Sequence, residues 1–104
     1  MTYTIIYVTT KTQKEAKKIA QVVLKKKLVA CVNIIPRVES MYWWKKKIEH
    51  HGESVIIMKT KESLVSRVIE TVKKVHSYST PCIIAIPITS GNRNFLDWID
   101  EVLR

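Results

Sequence analysis

The chain reads as an α+β domain of the ferredoxin-like βαββαβ type, with a long hairpin joining its second and third strands and an added C-terminal helix. Three observations predict this. Two strand–helix–strand halves follow each other over 104 residues with no linker between them. The helical segments carry apolar residues at a spacing near 3.6, and the strand segments are apolar at successive positions. A single domain covering residues 1–104 is therefore expected.

Each element has a local reason. Tyr3 to Thr9 is rich in β-branched and aromatic residues and reads as the first strand. Thr12-Gln13-Lys14-Glu15 has the form of a capping box, in which side chains satisfy the free amides of a helix start. Ala16, Ile19, Ala20, Val23 and Leu24 then share one helical face, with Lys14, Lys17, Lys18 and Lys25 on the other. Leu28 to Ile35 is the second strand, ended or bent by Pro36.

Val38 to Trp44 stays extended, the chain turns at Lys45-Lys46-Lys47, and it returns through Ile48 and Glu53 to Lys59. Gly52 is expected to mark a bulge or bend in this hairpin. Thr60 is positioned to cap a second helix bearing Leu64, Val65, Val68, Ile69, Val72 and Val75. Pro81 precedes a last core strand, Cys82 to Ile86, closed by Pro87. The final helix carries Phe95, Trp98, Ile99 and Val102 in one stripe.

Composition narrows the function classes. Hydrophobic residues make up 46% and charged residues 26%, an ordinary globular balance that argues against disorder. No apolar run approaches the ~20 residues that cross a bilayer, and the N-terminus lacks the features of a secretory signal. A cytoplasmic location is the expectation. Cys31 and Cys82 form no CxxC and sit in apolar runs, which predicts buried free thiols in a reducing compartment. The net charge of +9 raises the question of anionic partners, yet the lysines are dispersed except for Lys45-Lys46-Lys47.

The strand pattern bears on assembly. Right-handed crossovers place both connecting helices on one face of the sheet. A strand with one wet face should alternate. Leu28 to Val32, Val55 to Met58 and Ile83 to Ile86 do not alternate, so both faces require burial. The last helix is too short to cover the second face, and the remainder exceeds the apolar patch of a usual monomer. Tyr42, Trp43 and Trp44 near the hairpin tip either suit a partner surface or fold back on their own domain. Self-association is expected.

Chemical motifs are sparse. GxSxG, P-loop and HExxH motifs are absent, and Gly52 and Gly91 are the only glycines. His50 and His51 point to opposite faces of a strand, leaving Glu49 and His51 as the same-face pair. His76 ends the second helix, where a cation opposes the negative pole. Thr9, Thr10, Lys11 and Thr12 precede a helix start, where capping competes with anion binding as their role.

Taken in order, Ala30-Cys31-Val32-Asn33-Ile34-Ile35-Pro36, Ser40-Met41-Tyr42-Trp43-Trp44, Ile48-Glu49, Met58-Lys59-Thr60, His76-x-Tyr78-x-x-Pro81, Pro87-Ile88 and Leu96-x-Trp98-Ile99 resemble the CutA divalent-ion-tolerance family across nearly the whole chain. The resemblance implies a ferredoxin-like homotrimer similar in architecture to PII signalling proteins. It implies a non-enzymatic binding or signalling role linked to copper and divalent-cation tolerance, and in animals to anchoring of acetylcholinesterase. By position it places Cys31, Asn33, Tyr42, Trp44, Glu49, Lys59, His76, Tyr78 and Trp98 around an inter-subunit cleft.

Four positions depart from the family pattern. Lys46 replaces a turn glycine, Ser77 a proline, Cys82 a glutamate and Phe95 a tyrosine. Val8 and Val75 stand where some relatives carry cysteine and histidine. A strong copper site needs several such donors together, so the expectation is no obligatory cofactor and weak divalent-metal binding. His76, with Cys82, is its candidate ligand.

Competing readings have less support. RNA recognition on a ferredoxin-like sheet uses strand aromatics, and Glu53 to Lys59 has none. An acylphosphatase-like hydrolase would need an arginine-bearing phosphate loop after the first strand. A soft-metal chaperone would need CxxC. Nucleic-acid binding is the alternative kept, and a membrane partner is not expected.

Overall fold

Strand β1 (Tyr3–Thr10) lies inside the sheet, its apolar run Ile5–Val8 facing both sides and Thr4 and Thr10 buried near its ends. The computed structural model describes residues 2–104. After β1 come α1 (Gln13–Lys25), β2 (Cys31–Trp44), β3 (Lys47–Lys61), a single 3₁₀ turn at Glu62–Leu64, α2 (Val65–Val75), β4 (Ile83–Ile88) and α3 (Arg93–Val102). The four strands form one sheet in the order β2-β3-β1-β4, with every neighbouring pair antiparallel. This is the expected ferredoxin-like α+β architecture.

Alternation assigns the faces. Ile6, Val8, Ile56 and Met58 point to α1 and α2, where they meet Ala16, Ile19, Val23, Val68 and Val72 in the main core. Each buried aliphatic side chain of this kind contributes about 1.5–3 kcal/mol against exposure. Ile5, Tyr7, Ile57, Lys59, Ile84 and Ile86 share the other face by register. Helix α3 covers one end of that face, packing Leu96, Ile99 and Leu103 against Tyr3 and Ala30. An ion pair between Lys61 and Asp100 at 3.5 Å ties it down. Beyond α3 the face is open.

The capping box forms with one change. Thr12 Oγ1 accepts from the Glu15 amide at 3.1 Å, while Glu15 Oε1 accepts from the amide of Lys11 rather than Thr12. At the other end of α1, Lys27 takes φ 54°, and the Leu28 and Lys27 amides donate back to Val23 and Leu24. This is a Schellman closure with lysine where glycine is usual. Buried Leu28 supplies its apolar contact.

Several boundaries differ from expectation. Leu28, Val29 and Ala30 are buried but precede β2: Leu28 closes the Schellman turn, and the Ala30 amide donates to the Lys59 carbonyl just before regular pairing begins at Cys31. Pro36 does not end β2. The register shifts between Ile35 and Val38, so Pro36 and Arg37 oppose Ser54 alone. The bulge therefore lies there and not at Gly52, which pairs in register with Glu39 beneath the Arg37 guanidinium. Ser54 Oγ donates to the Pro36 carbonyl at 2.6 Å and anchors it.

Thr60 is no helix cap. Its hydroxyl is fully buried and donates to the Leu28 carbonyl at 2.6 Å, so β3 runs on and the 3₁₀ turn starts α2 instead. Cys82 falls just before β4, which continues through Pro87 to Ile88. β4 is an edge strand, where a missing amide is tolerated.

Lys45 and Lys46 turn the hairpin with φ values of 50° and 66°, both in the left-handed region. Two positive values between paired Trp44 and Lys47 define a type I′ turn. Non-glycine residues there cost roughly 1–2 kcal/mol each, part of which a flexible glycine returns through the unfolded chain. Lys46→Gly and Lys27→Gly should each raise stability by about 0.5–1 kcal/mol, read as a higher denaturant midpoint at unchanged slope. A lower midpoint would contradict the strain.

Candidate functional site

Past the bulge, the hairpin leaves the body of the molecule and extends its long axis to 44 Å against 26 and 22 Å across. Alternation puts Tyr42, Trp44, Glu49, His51 and Glu53 on one side of it. The segment after α2 folds back beneath this side. The two enclose a groove of about 750 Å³, whose lining includes Thr9, Ser40, Met41, Ser79, Thr80 and Cys82 together with those five residues and Tyr78.

One hydrogen bond closes the inner end of the groove. Tyr78 Oη donates to Glu53 Oε2 at 2.7 Å, and Glu53 is only 7% exposed. Burial, this bond and the nearby carboxylate charge push the phenol's pKa up, so Tyr78 stays a donor. At the outer end, Glu49 Oε1 lies 3.3 Å from His51 Nε2, the same-face pair expected from the sequence. His50 turns the other way and meets Glu39 at 3.0 Å.

Beneath the groove the chain is locked by His76, whose side chain has no exposure. Its Nε2 lies 2.8 Å from the Thr9 carbonyl, and its Nδ1 lies 3.1 Å from the Tyr78 amide. A carbonyl needs a donor and an amide needs an acceptor, which assigns the Nε2–H tautomer. Both ring nitrogens are thus occupied within the protein. His76 has no lone pair left for the metal role considered from the sequence, nor is it a surface cation at the helix end. It splices the end of α2 to β1.

Glu15 completes the splice. Its Oε2 accepts from the Ser77 amide at 2.8 Å, while Oε1 holds Lys11. Burial works against its charge, but the hydrogen bonds from Ser77 and Lys11 outweigh that penalty and hold the carboxyl below its ordinary 4.5.

A second cluster lies on the open face. The Lys59 ammonium donates to Asn33 Oδ1, sits 3.6 Å from Cys31 Sγ and lies 5.9 Å from the centre of the Phe95 ring. Phe95 in turn meets Trp98 with ring centres 5.5 Å apart. Six residues of β3 separate Lys59 from Glu53, about 20 Å at strand rise.

The nine residues assigned to a cleft therefore split in three. Tyr42, Trp44, Glu49 and Tyr78 line the groove, Cys31, Asn33, Lys59 and Trp98 form the distant cluster, and His76 is buried below. Glu53, His51 and Cys82 join the groove without having been singled out for a cleft. Glu53 shares the parity of Glu49 and His51 on one strand, which is the signal that would have found it. Neither cysteine is buried as expected: Cys82 is exposed and Cys31 half-exposed, because their runs face the uncovered side. Among the described residues, no three His, Cys, Asp or Glu side chains gather at metal-binding distance.

Fold, hairpin and half-covered sheet together define a class: a small ferredoxin-like subunit with an arm, a groove at the arm's base and an apolar sheet face left open. The model of the CutA1 divalent ion tolerance protein matches residues 4–102. The chain belongs to the CutA1 divalent ion tolerance family.

It is 48% identical over 101 residues to the divalent-cation tolerance protein CutA of Archaeoglobus fulgidus, covering 97% of this chain and 98% of that one. It is 41% identical over 100 residues to the chloroplastic CutA 1 protein of rice, covering 96% of this chain but 56% of the longer rice protein. The Archaeoglobus structure, described as a periplasmic divalent cation tolerance protein, superposes with a TM-score of 0.95 at 47% identity, covering 98% and 99% of the two chains. The rice CutA1 crystal structure gives 0.96 at 39% identity, covering 100% and 95%.

Glu15 supplies a pH test. A carboxyl whose folded pKa is depressed stabilises fully above its unfolded value and loses that contribution as pH falls through the folded one. Glu15→Gln should cost about 1 kcal/mol at pH 7. The gap to the parent should narrow as pH falls below the ordinary 4.5, measured as urea midpoints at pH 7 and pH 3. An undiminished gap at pH 3 would remove the ionised carboxylate from the explanation.

Proposed function

We propose that this chain is the subunit of a homotrimeric, non-enzymatic binding or signalling module of divalent-cation tolerance, with its ligand cleft between subunits. One observation carries the reading: Ile35, Ile84, Ile86, Phe95 and Trp98 are each 40–50% exposed, and the first three lie by register on the open sheet face. Such a patch marks an interaction surface.

The split site indicates the kind of contact. A groove at one end of the chain and a lysine cluster about 20 Å away can complete each other only between copies. Contact of unlike surfaces repeats around an axis, and rings larger than a dimer close in this way. The family resemblance supports three. Lys59 of one copy would then approach the carboxylates of the next, which suits opposite charges.

A catalytic role has little to support it, since among the described residues no nucleophile is held by a base with an orienting third group. Copper affinity is weak in this reading, because His76 is committed to Thr9 and Tyr78. The two accessible thiols suit a reducing compartment such as the cytoplasm. Nucleic-acid reading on the sheet is not favoured, since the third strand's body offers no aromatic platform.

Sedimentation at micromolar concentration should give about three times the 12.1 kDa chain mass. The double variant Ile84→Lys/Ile86→Lys should lower that mass or the folded fraction. A folded parent monomer would sink the proposal. Calorimetry with copper should show weak binding that His76→Ala leaves unchanged while destabilising the fold by about 1–3 kcal/mol through its orphaned partners. A tight site lost in that variant would overturn the structural role of His76.

A further inference from the structure

The net charge of +9 is not spread evenly over the molecule. Seven lysines and a single acid, Glu15, stand between Lys11 and Lys27. Helix α2 and its 3₁₀ turn add Arg67, Lys73 and Lys74 against Glu62 and Glu70. All but two of the chain's excess positive charges therefore belong to the helix layer. The two helices meet through Ala16, Ile19, Val23, Val68 and Val72 in the main core, so their outer faces form one surface.

The acids in this layer do little to neutralise it. Both oxygens of Glu15 are committed, one to the Lys11 amide and one to the Ser77 amide. Glu70 is paired with Lys73 at 3.9 Å. Among the described residues, none of the seven lysines from Lys11 to Lys27 forms an ion pair. A solvated helix usually interleaves opposite charges three or four residues apart. Here Lys14, Lys17 and Lys18 hold like charge at those spacings, an arrangement that repels itself until an anion screens it.

Assembly leaves this surface free. Glu49, His51 and Glu53 share strand parity with Ile57 and Lys59, so groove and open face lie on one side of the sheet. The helix layer lies on the other. A contact between copies that buries the first side turns the lysines outward, whatever the number of subunits.

The side chains select among anionic partners. No aromatic residue lies in 11–27 or 62–75, so nothing there stacks on unpaired bases. Leu24 is the one large apolar side chain exposed in the layer, too little to enter a bilayer. All its cations but Arg67 are lysines, which meet phosphate as point charges without a fixed fork geometry. Lys14 to Lys25 span roughly 16 Å at helical rise, a length over which a DNA duplex carries about ten phosphates.

We propose that the helix layer binds duplex DNA through its phosphate backbone, without reading sequence. The lysines of α1 run along the phosphates, and Arg67, Lys73 and Lys74 widen the contact. This goes beyond the ligand-cleft reading and does not rest on it.

The test is fluorescence anisotropy of a labelled duplex of about 20 base pairs, titrated with the full chain between about 50 and 200 mM salt. Binding should saturate, and log affinity should fall linearly with log salt at a slope of about −4. Two duplexes of unrelated sequence should bind equally, and a single strand of the same length more weakly. Lys14→Gln/Lys18→Gln should weaken duplex binding about tenfold and make the slope shallower by about two. Both positions are exposed and glutamine keeps helix propensity, so circular dichroism and sedimentation should match the parent. Lys45→Gln/Lys47→Gln removes the same charge from the hairpin tip and should change affinity less than about twofold.

No saturable binding at about 50 mM salt, or an equal loss from the tip variant, would overturn the proposal. So would a preference for one duplex sequence or for the single strand. Flotation with phosphatidylserine vesicles tests the rival partner. Retention at physiological salt that Lys14→Gln/Lys18→Gln abolishes would assign the surface to a membrane instead.

Discussion

Two helices can cover only one face of a four-stranded sheet, and the rest of this molecule follows from that limit. Alternation sends Ile6, Val8, Ile56 and Met58 to the helices and sends Ile5, Tyr7, Ile57, Ile84 and Ile86 the other way. Helix α3 reaches only the end marked by Tyr3 and Ala30. The uncovered side is apolar because its strands were built to be buried twice. Ile84 and Ile86 stay half-exposed in the single chain.

The bulge at Pro36–Arg37 divides the sheet into two territories. Before it, β2 belongs to the core; after it, β2 and β3 form an arm whose side chains face a groove rather than a helix layer. The loop from His76 to Cys82 supplies the opposite wall, and its position is set by three polar contacts: His76 to Thr9, Ser77 to Glu15, and Tyr78 to Glu53. A capping-box glutamate thus does a second task, holding the segment that shapes the groove. Polar groups buried this way cost little while every partner is present, and much when one is removed.

Elements with a repeating pattern were legible in the sequence. The helices, the hairpin, the open face and the opposed directions of His50 and His51 all follow from periodicity. What escaped was governed by contacts between distant segments. Thr60 has the look of a cap, but its hydroxyl finds the Leu28 carbonyl across the sheet. Gly52 suggested the bulge, whereas Ser54 and the Pro36 carbonyl determine it. The end of α1 was hidden because Lys27 adopts a glycine conformation. Motif resemblance gathered nine residues into one cleft, and a single chain keeps its two halves about 20 Å apart.

Pro36 lies in β2 and Pro87 in β4, the two outer strands of the sheet. Each removes one backbone donor from a flank that would otherwise template further pairing. Side-by-side growth into fibrils is thereby interrupted at both margins, even though the strands are long and greasy enough to invite it. A contact made through the open face would be flat side first, and growth of that kind stops once the oily surface is used up.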